Sequence, residues 1–452
     1  MAGYVLHSDA HRKRARLEAF IAASPVILFA ILCCLIRPAS VGGNITLSYV
    51  IPFTFCLAFL AIPVGRNIFL NQGSRIRVEL VLLFVISALS IISLINHNEP
   101  FRAFRVLFPS ILPFLLFLQL AALWKVSPAT VAKLPRLLIF LALIFGTLPL
   151  ILAFLDSSLK DYVFSRHRYK GFFENPNQNS IVLATIIPLA IAEVANAKSR
   201  FKKLLWVSAM LLLMFTLIRT GSKTALLVGL SVSWLFYITI NFRSFSPLKR
   251  FAMTFGMLIL AVIVVLYGIE IAALFDPVLA SKLNMIFSDG VGNYYSIESR
   301  KLLWQNAIEE GSKHWMIGSG AGERVLGLAH AHNLVLDYFR GVGVFGALAI
   351  ALLCLTICFR AVRKSLSLLS APAGSGDRWI CACYVSAAVY AVCNQLSDCF
   401  GPSTVGILWL IYMPAIFSEH HANKLLEPNP RTGRRQRVYL RRQPWTTNTV
   451  TT

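Results

Sequence analysis

Charge is scarce in this sequence, and acid is scarcer than base. Only 14% of the 452 residues are charged, with 20 Asp and Glu against 43 Lys and Arg. Together with a hydrophobic share of 57% and a mean hydropathy of +0.67, this excludes an ordinary soluble domain, whose charged share is about 25%. Neither tandem repeats nor low-complexity tracts stand out, so nothing points to a repeat array. The nine cysteines, at 33, 34, 56, 354, 358, 381, 383, 393 and 399, fall mostly inside apolar runs, and only Cys399 approaches a predicted outer face. They read as small buried apolar side chains, which argues against a disulfide framework.

What the chain has in abundance is long apolar runs. A hydrocarbon layer about 30 Å thick needs roughly 20 apolar residues in helical form, and about twelve runs meet that need. They lie near 17–36, 45–64, 78–95, 104–124, 134–155, 178–197, 204–219, 222–241, 251–275, 333–359, 379–397 and 403–418. β-Barrel strands would be shorter and would alternate, so all are read as helices. The first run follows "HRKRAR" but is long for a signal peptide, lacks a clear cleavage site and precedes many further spans; it reads as a retained helix.

The expected fold is therefore all-α and polytopic, with one long, partly helical loop on the outer side. A basic segment at 1–16 leads into nine spans over 17–275, the loop covers 276–332, three more spans fill 333–418, and a basic tail occupies 419–452. With the N-terminus cytoplasmic, most Lys and Arg fall on the inner side, which places both termini inside. The tail "RTGRRQRVYLRRQ" reads as an anchor to anionic lipid and a topology signal, with no nucleic-acid partner.

The basic residues left on the outer side run against that rule and need another reason. They are Arg102 and Arg105, Arg166, His167, Arg168 and Lys170 in "SRHRYK", Arg219 and Lys223 in "RTGSKTALL", and Arg300, Lys301, Arg324 and Arg340. Guanidinium groups bind phosphate oxygens bidentately, so convergence of four separate connections suggests an anion site. Each residue alone also fits snorkelling to lipid phosphate, and Arg340 fits an i, i+3 ion pair with Asp337.

The loop offers "RKLLWQNAIEE", in which Arg300 and Trp304 share one helix face and Glu309 and Glu310 end the segment. "IGSGAG" then supplies flexible backbone, without the strand and spacing of a dinucleotide site. "GSKT" lacks the upstream glycine of a phosphate-binding loop, because Thr216 holds that place. His330 and His332 form an H-x-H pair with no cysteine or acidic cluster to complete a metal set, and no D-x-D pair occurs.

"GFFENPNQNS", "RTGSKTALL", "SRKLLWQNAI" with "MIGSGAGE", and "HAHNLVLDYFRGVGVFG" follow one another in the order seen in O-antigen ligases and related bacterial polysaccharide polymerases. The chain resembles that family over roughly 165–350, above all at Arg300, Trp304, Gly318, Gly320, His332, Asn333 and Gly343. The resemblance implies an inner-membrane enzyme without cofactor or nucleotide sugar. It would take a polyprenyl-diphosphate-linked glycan at the periplasmic face and transfer it to a hydroxyl of lipid A core, or of another lipid-linked glycan in a polymerase.

Such a displacement needs cations for the charge growing on the diphosphate and a base for the hydroxyl. His332 is the candidate base, since an imidazole accepts a proton near neutral pH; a helix cap is its local alternative. Arg300 and Arg219 are the candidate diphosphate ligands, with Lys223, Arg168 and Arg340 beside them. Asn177 and Trp304 are expected at the substrate, Asn177 and Asn179 serving equally well as helix-start residues. Gly341, Gly343 and Gly346 read as helix-packing positions. A lipid-glycan flippase would instead carry charge through the midplane, where only Glu193 and Glu270 offer any, both near span ends.

Overall fold

A computed structural model describes residues 40–41, 45–46, 78–97, 111–121, 123–124, 128–165, 168–173, 175–242, 245–248, 251–252, 255–256, 295–321, 331–370, 374–396 and 408–419. Within them, six helices are long and apolar enough to cross a membrane. These are α1 (Val78–Asn96), α3 (Pro128–Leu155), α4 (Pro176–Asn196), α5 (Arg200–Arg219), α6 (Lys223–Asn241) and α9 (Val344–Ser370). The shorter apolar helices are α2 (Ile111–Ala121) and α11 (Leu408–Glu419). Three more are α7 (Tyr295–Lys313), α8 (Leu334–Val342) and α10 (Ser375–Leu396). The run expected at 17–36, and most of those at 45–64 and 251–275, lie outside the described residues.

Helix α4 is the hub. Every residue from Pro176 to Glu193 except Asn177 is buried, as expected of a helix that is apolar all round. The start is fixed locally: Asn175 accepts from the Gln178 amide and Pro176 fills the first helical position. Helices α5, α6 and α10 pack around it. A Cβ on Gly229 of α6 would sit 2.7 Å from the Cβ of Ala184, so this crossing needs glycine.

Polar contacts fix which ends lie together. At the end where α4 finishes, Glu193 pairs with Arg136 of α3 at 2.5 Å, and Arg378 of α10 donates to the Ala195 carbonyl at 3.4 Å. Helices α9 and α10 run antiparallel, with Lys364 on Asp377 at 2.9 Å and Gln395 on Cys354 at 3.5 Å. Arg360 of α9 meets Glu79 of α1 at 2.7 Å. This lower end thus gathers Glu79, Arg136, Glu193, Arg360 and Asp377. The opposite, upper end gathers Asn96, the close of α3, Asn177, the α5–α6 turn and the start of α9.

Several expectations are corrected. The described residues are predominantly helical, as expected, with two short antiparallel pairings added, Ser40–Val41 with Ile45–Thr46 and Phe164–Ser165 with Arg168–Tyr169. Ile45 therefore opens a strand pairing, not a helix. The run at 333–359 is two helices, because Gly343 adopts φ 86° and ψ −177°, which only glycine tolerates. Helix α7 continues past Glu310 to Lys313, since Gly311 lets it approach Phe339, whose Cδ1 would lie 2.5 Å from a Cβ there.

"IGSGAG" is fixed rather than flexible. Ser319 N–H donates to the Arg340 carbonyl at 2.9 Å and Gly320 N–H to that of Gly341 at 3.1 Å, while Val344 N–H donates to Trp315 at 2.8 Å. Asn96 holds the Gly318 carbonyl at 2.9 Å, and Ser93 accepts from the Ala321 amide at 3.1 Å. The segment straps the α8–α9 break to α1.

Candidate functional site

Two groups of candidate residues lie at the upper end. The first is built where the short hairpin before α4 meets the turn between α5 and α6. Tyr169, fully buried, anchors the hairpin by donating to the Gly146 carbonyl at 2.8 Å. Gly146 belongs to a π-helical stretch of α3, Ala142–Thr147, and a π turn in an α-helix is a frequent mark of a functional region.

From that hairpin Arg168 reaches in two directions. Its Nε donates to the Thr220 carbonyl at 2.8 Å and its Nη2 to Asn177 Oδ1 at 2.8 Å. Because Asn175 is the cap of α4, the side chain of Asn177 is available for this bond. Gly221, at φ 61°, makes the turn that lets the chain pass over Arg168.

Arg219 and Lys223 flank this turn. Arg219 ends α5, where a cation suits the helix dipole, but Lys223 opens α6, where the dipole opposes it. The Lys223 Nζ is buried there. The hairpin thus joins Arg168 and Asn177 to the very turn that carries Arg219 and Lys223.

The second group surrounds His332. Asp337 Oδ1 accepts from the Ala331 amide at 2.8 Å and faces Arg340 at 3.5 Å, the i, i+3 pair anticipated from spacing. Asn333 caps α8 by accepting from Leu336 N–H at 3.0 Å. The cap is therefore Asn333 and not His332. Held on both sides, His332 is half-buried at φ 52°, alone among described non-glycine residues in positive φ. Such strain collects at functional positions.

Helix α7 packs against α8 and brings half-buried Arg300 and Trp304 with it. The Trp304 Nε1 hydrogen is buried and bonded to nothing among the described residues, an indole donor still to be used. Arg102, Arg105, Arg166, His167, Glu270, Arg324 and His330 lie outside the described residues. Cys354, Cys358, Cys381, Cys383 and Cys393 are free thiols within α9 and α10. Among the described residues no cluster of three or more His, Cys, Asp or Glu is set to hold a metal.

Sequence reading missed the Thr220 carbonyl, Ser93 and Asn96 as the seat of the glycine strap, and the hold of Asp337 on Ala331. The polar end of α1, "SLINH", was the one signal for the seat. A carbonyl acceptor leaves no signal in side chains.

This turn, this strap and this histidine fall in one recognisable stretch. Residues 208–351 match the family model described as O-antigen ligase. The chain is O-antigen ligase-like. The matched stretch runs from within α5 into α9 and contains Arg219, Lys223, Arg300, Trp304, His332 and Arg340; Arg168 and Asn177 precede it. No curated protein matches the chain. The match covers about a third of the chain, and with six helices long and apolar enough to cross a membrane it supports an O-antigen ligase-like membrane protein. Such proteins work on a lipid-linked glycan and an acceptor.

Proposed function

We propose that this protein transfers a glycan from a polyprenyl diphosphate to a sugar hydroxyl at the periplasmic face of the inner membrane. The acceptor is lipid A core, which makes the reaction O-antigen ligation. One observation carries the reading: Arg168, Asn177 and the Arg219–Lys223 turn meet at the bundle end that also bears His332 and α7.

In the step, the acceptor oxygen bonds to the anomeric carbon while the bond from that carbon to the diphosphate oxygen breaks. The electron pair leaves with the diphosphate, and the hydroxyl proton passes to His332. Arg219, Lys223, Arg168 and Arg300 bear the growing negative charge, guanidinium forks matching phosphate oxygens. Arg340 and Asp337 fix the loop that presents His332. Asn177 and Trp304 offer hydrogen bonds to the sugar. With cations supplied by side chains, the reaction runs without metal or nucleotide. Both termini are cytoplasmic and the basic tail lies on anionic lipid.

The test uses detergent-purified protein, a polyprenyl-diphosphate glycan and lipid A core, with EDTA present. Glycan appears on the core, and His332→Ala and Arg300→Ala each lower the rate by about a hundredfold or more while the protein still folds. Normal transfer by both variants sinks the assigned roles. Glycan lengthening on a second donor in place of core ligation makes the enzyme a polymerase.

A further inference from the structure

We infer that the exposed turn after α7, residues 314–317, is an anchor seated in the lipid headgroup layer at the upper end of α9. This rests on α9 crossing a membrane and is independent of the reaction proposed above.

Trp315, Met316 and Ile317 are three consecutive large apolar side chains, 54%, 52% and 42% exposed. A contiguous exposed apolar patch of this kind marks a contact surface. Its backbone is fixed. Val344 N–H donates to the Trp315 carbonyl at 2.8 Å and Gly318 N–H to that of His314 at 2.6 Å. A Cβ on Gly343 would lie 2.4 Å from the Met316 carbonyl oxygen, so the turn sits directly on the start of α9. The main chain is held against the bundle, and the three side chains are left on the outside.

The occupant follows from what the turn continues. Phe345, Leu348, Leu352, Leu355 and Phe359 are exposed at i, i+3 and i+4 spacing, one apolar stripe along α9. On a helix of this length and hydropathy such a stripe faces lipid. It opens at Phe345, one residue past the Val344 bond to the turn. From Phe345 to Val362, the last exposed apolar residue before exposed Arg363, the helix rises about 26 Å, slightly less than the roughly 30 Å of hydrocarbon. The turn therefore stands at the edge of the hydrocarbon, where an indole is favoured and a lysine can reach phosphate. Lys313, exposed in the last turn of α7, supplies that lysine. Helix α8 cannot extend the apolar height, because it carries Asp337 and Arg340. Seated in this layer, the turn sets the height of α7, and with it Arg300 and Trp304, against the bilayer.

The test places a photoreactive benzophenone side chain at position 316, or at 348 as the reference on the α9 stripe, in the full chain reconstituted in phosphatidylethanolamine–phosphatidylglycerol nanodiscs. A lipid adduct is expected at both positions, read from intact mass. Trp315→Ser with Ile317→Ser lowers the adduct at 316 by about tenfold and leaves both the adduct at 348 and the Tm unchanged, since the two side chains are exposed. Trp315→Phe retains the adduct at 316. An adduct at 348 without one at 316 puts the turn in water and overturns the anchor. Chain-to-chain links from 316 in place of lipid make the turn a contact between copies and overturn it too. An adduct at 316 indifferent to the double substitution overturns the role of the apolar side chains, and lipid at neither position overturns the anchor together with α9 as a span.

Discussion

Arg168→Lys separates charge from geometry at the hairpin. The guanidinium spans two neutral acceptors at 2.8 Å each, the Thr220 carbonyl and Asn177 Oδ1. An ammonium keeps the charge but cannot copy the fork, so one bond is lost. A hydrogen bond to a charged group is worth roughly 1.5–3 kcal/mol, and half-burial with water access trims this to about 1–2 kcal/mol. Since about 1.4 kcal/mol is one decade, kcat/KM for glycan transfer falls by about tenfold. The check is a double-mutant cycle with Asn177→Ala, scored on kcat/KM and on thermal unfolding in detergent. Two residues acting through one contact show a coupling of roughly 0.5–3 kcal/mol. Strict additivity, or a Lys variant as active as wild type, refutes the idea that the fork positions this corner of the site.

Two further outcomes concern the frame. Gly343→Ala places a Cβ 2.4 Å from the Met316 carbonyl oxygen in a backbone region reserved for glycine, so it destabilises by about 3 kcal/mol or more, read as a lowered Tm; an unchanged Tm contradicts the strapped α8–α9 break. Arg360→Ala strands the fully buried Glu79 carboxylate at a cost of about 3–5 kcal/mol, and adding Glu79→Gln restores most of the lost Tm. Absence of that rescue means the pair is not what holds α1 to α9.

Local signals in the sequence were legible and distant ones were not. Asp337 with Arg340 announces an ion pair, because it depends only on spacing along the chain, whereas the cap of α4 is Asn175 and not Asn177 or Asn179, which the sequence offered for it. The apolar run after Asn333 conceals its break at Gly343, since hydropathy measures length and is blind to a backbone angle. What breaks the run is the Trp315–Ala321 strap, which donates to and accepts from the Arg340–Val344 backbone. Likewise Glu79 and Arg360 lie far apart along the chain. Only folding shows that they face each other, with Tyr412 donating to Glu79 at 3.1 Å and Tyr384 to Glu419 at 2.6 Å. For the candidate site, the residue types were readable, but the joining of Arg168 to the 219–223 turn needed the hairpin.

Arg168 at the upper end is held by different groups from the arginines of the lower end. At the lower end Arg136 meets Glu193 and Arg360 meets Glu79, so each cation is cancelled by a carboxylate and the result is cohesion. At the upper end Arg168 donates to the Thr220 carbonyl and to the Asn177 side-chain amide. Lys223 adds its charge at a helix start, where the dipole already contributes positive potential. A diphosphate bound at this corner, as proposed, would meet the side chains of Arg168, Arg219 and Lys223. Beside it, at the same end, the backbone of His332 is held at φ 52° between the Asp337 tether and the Asn333 cap, a conformation a solvent loop would relax. Cationic side chains and an imidazole held in a fixed backbone conformation are what the proposed displacement of a diphosphate by a hydroxyl requires.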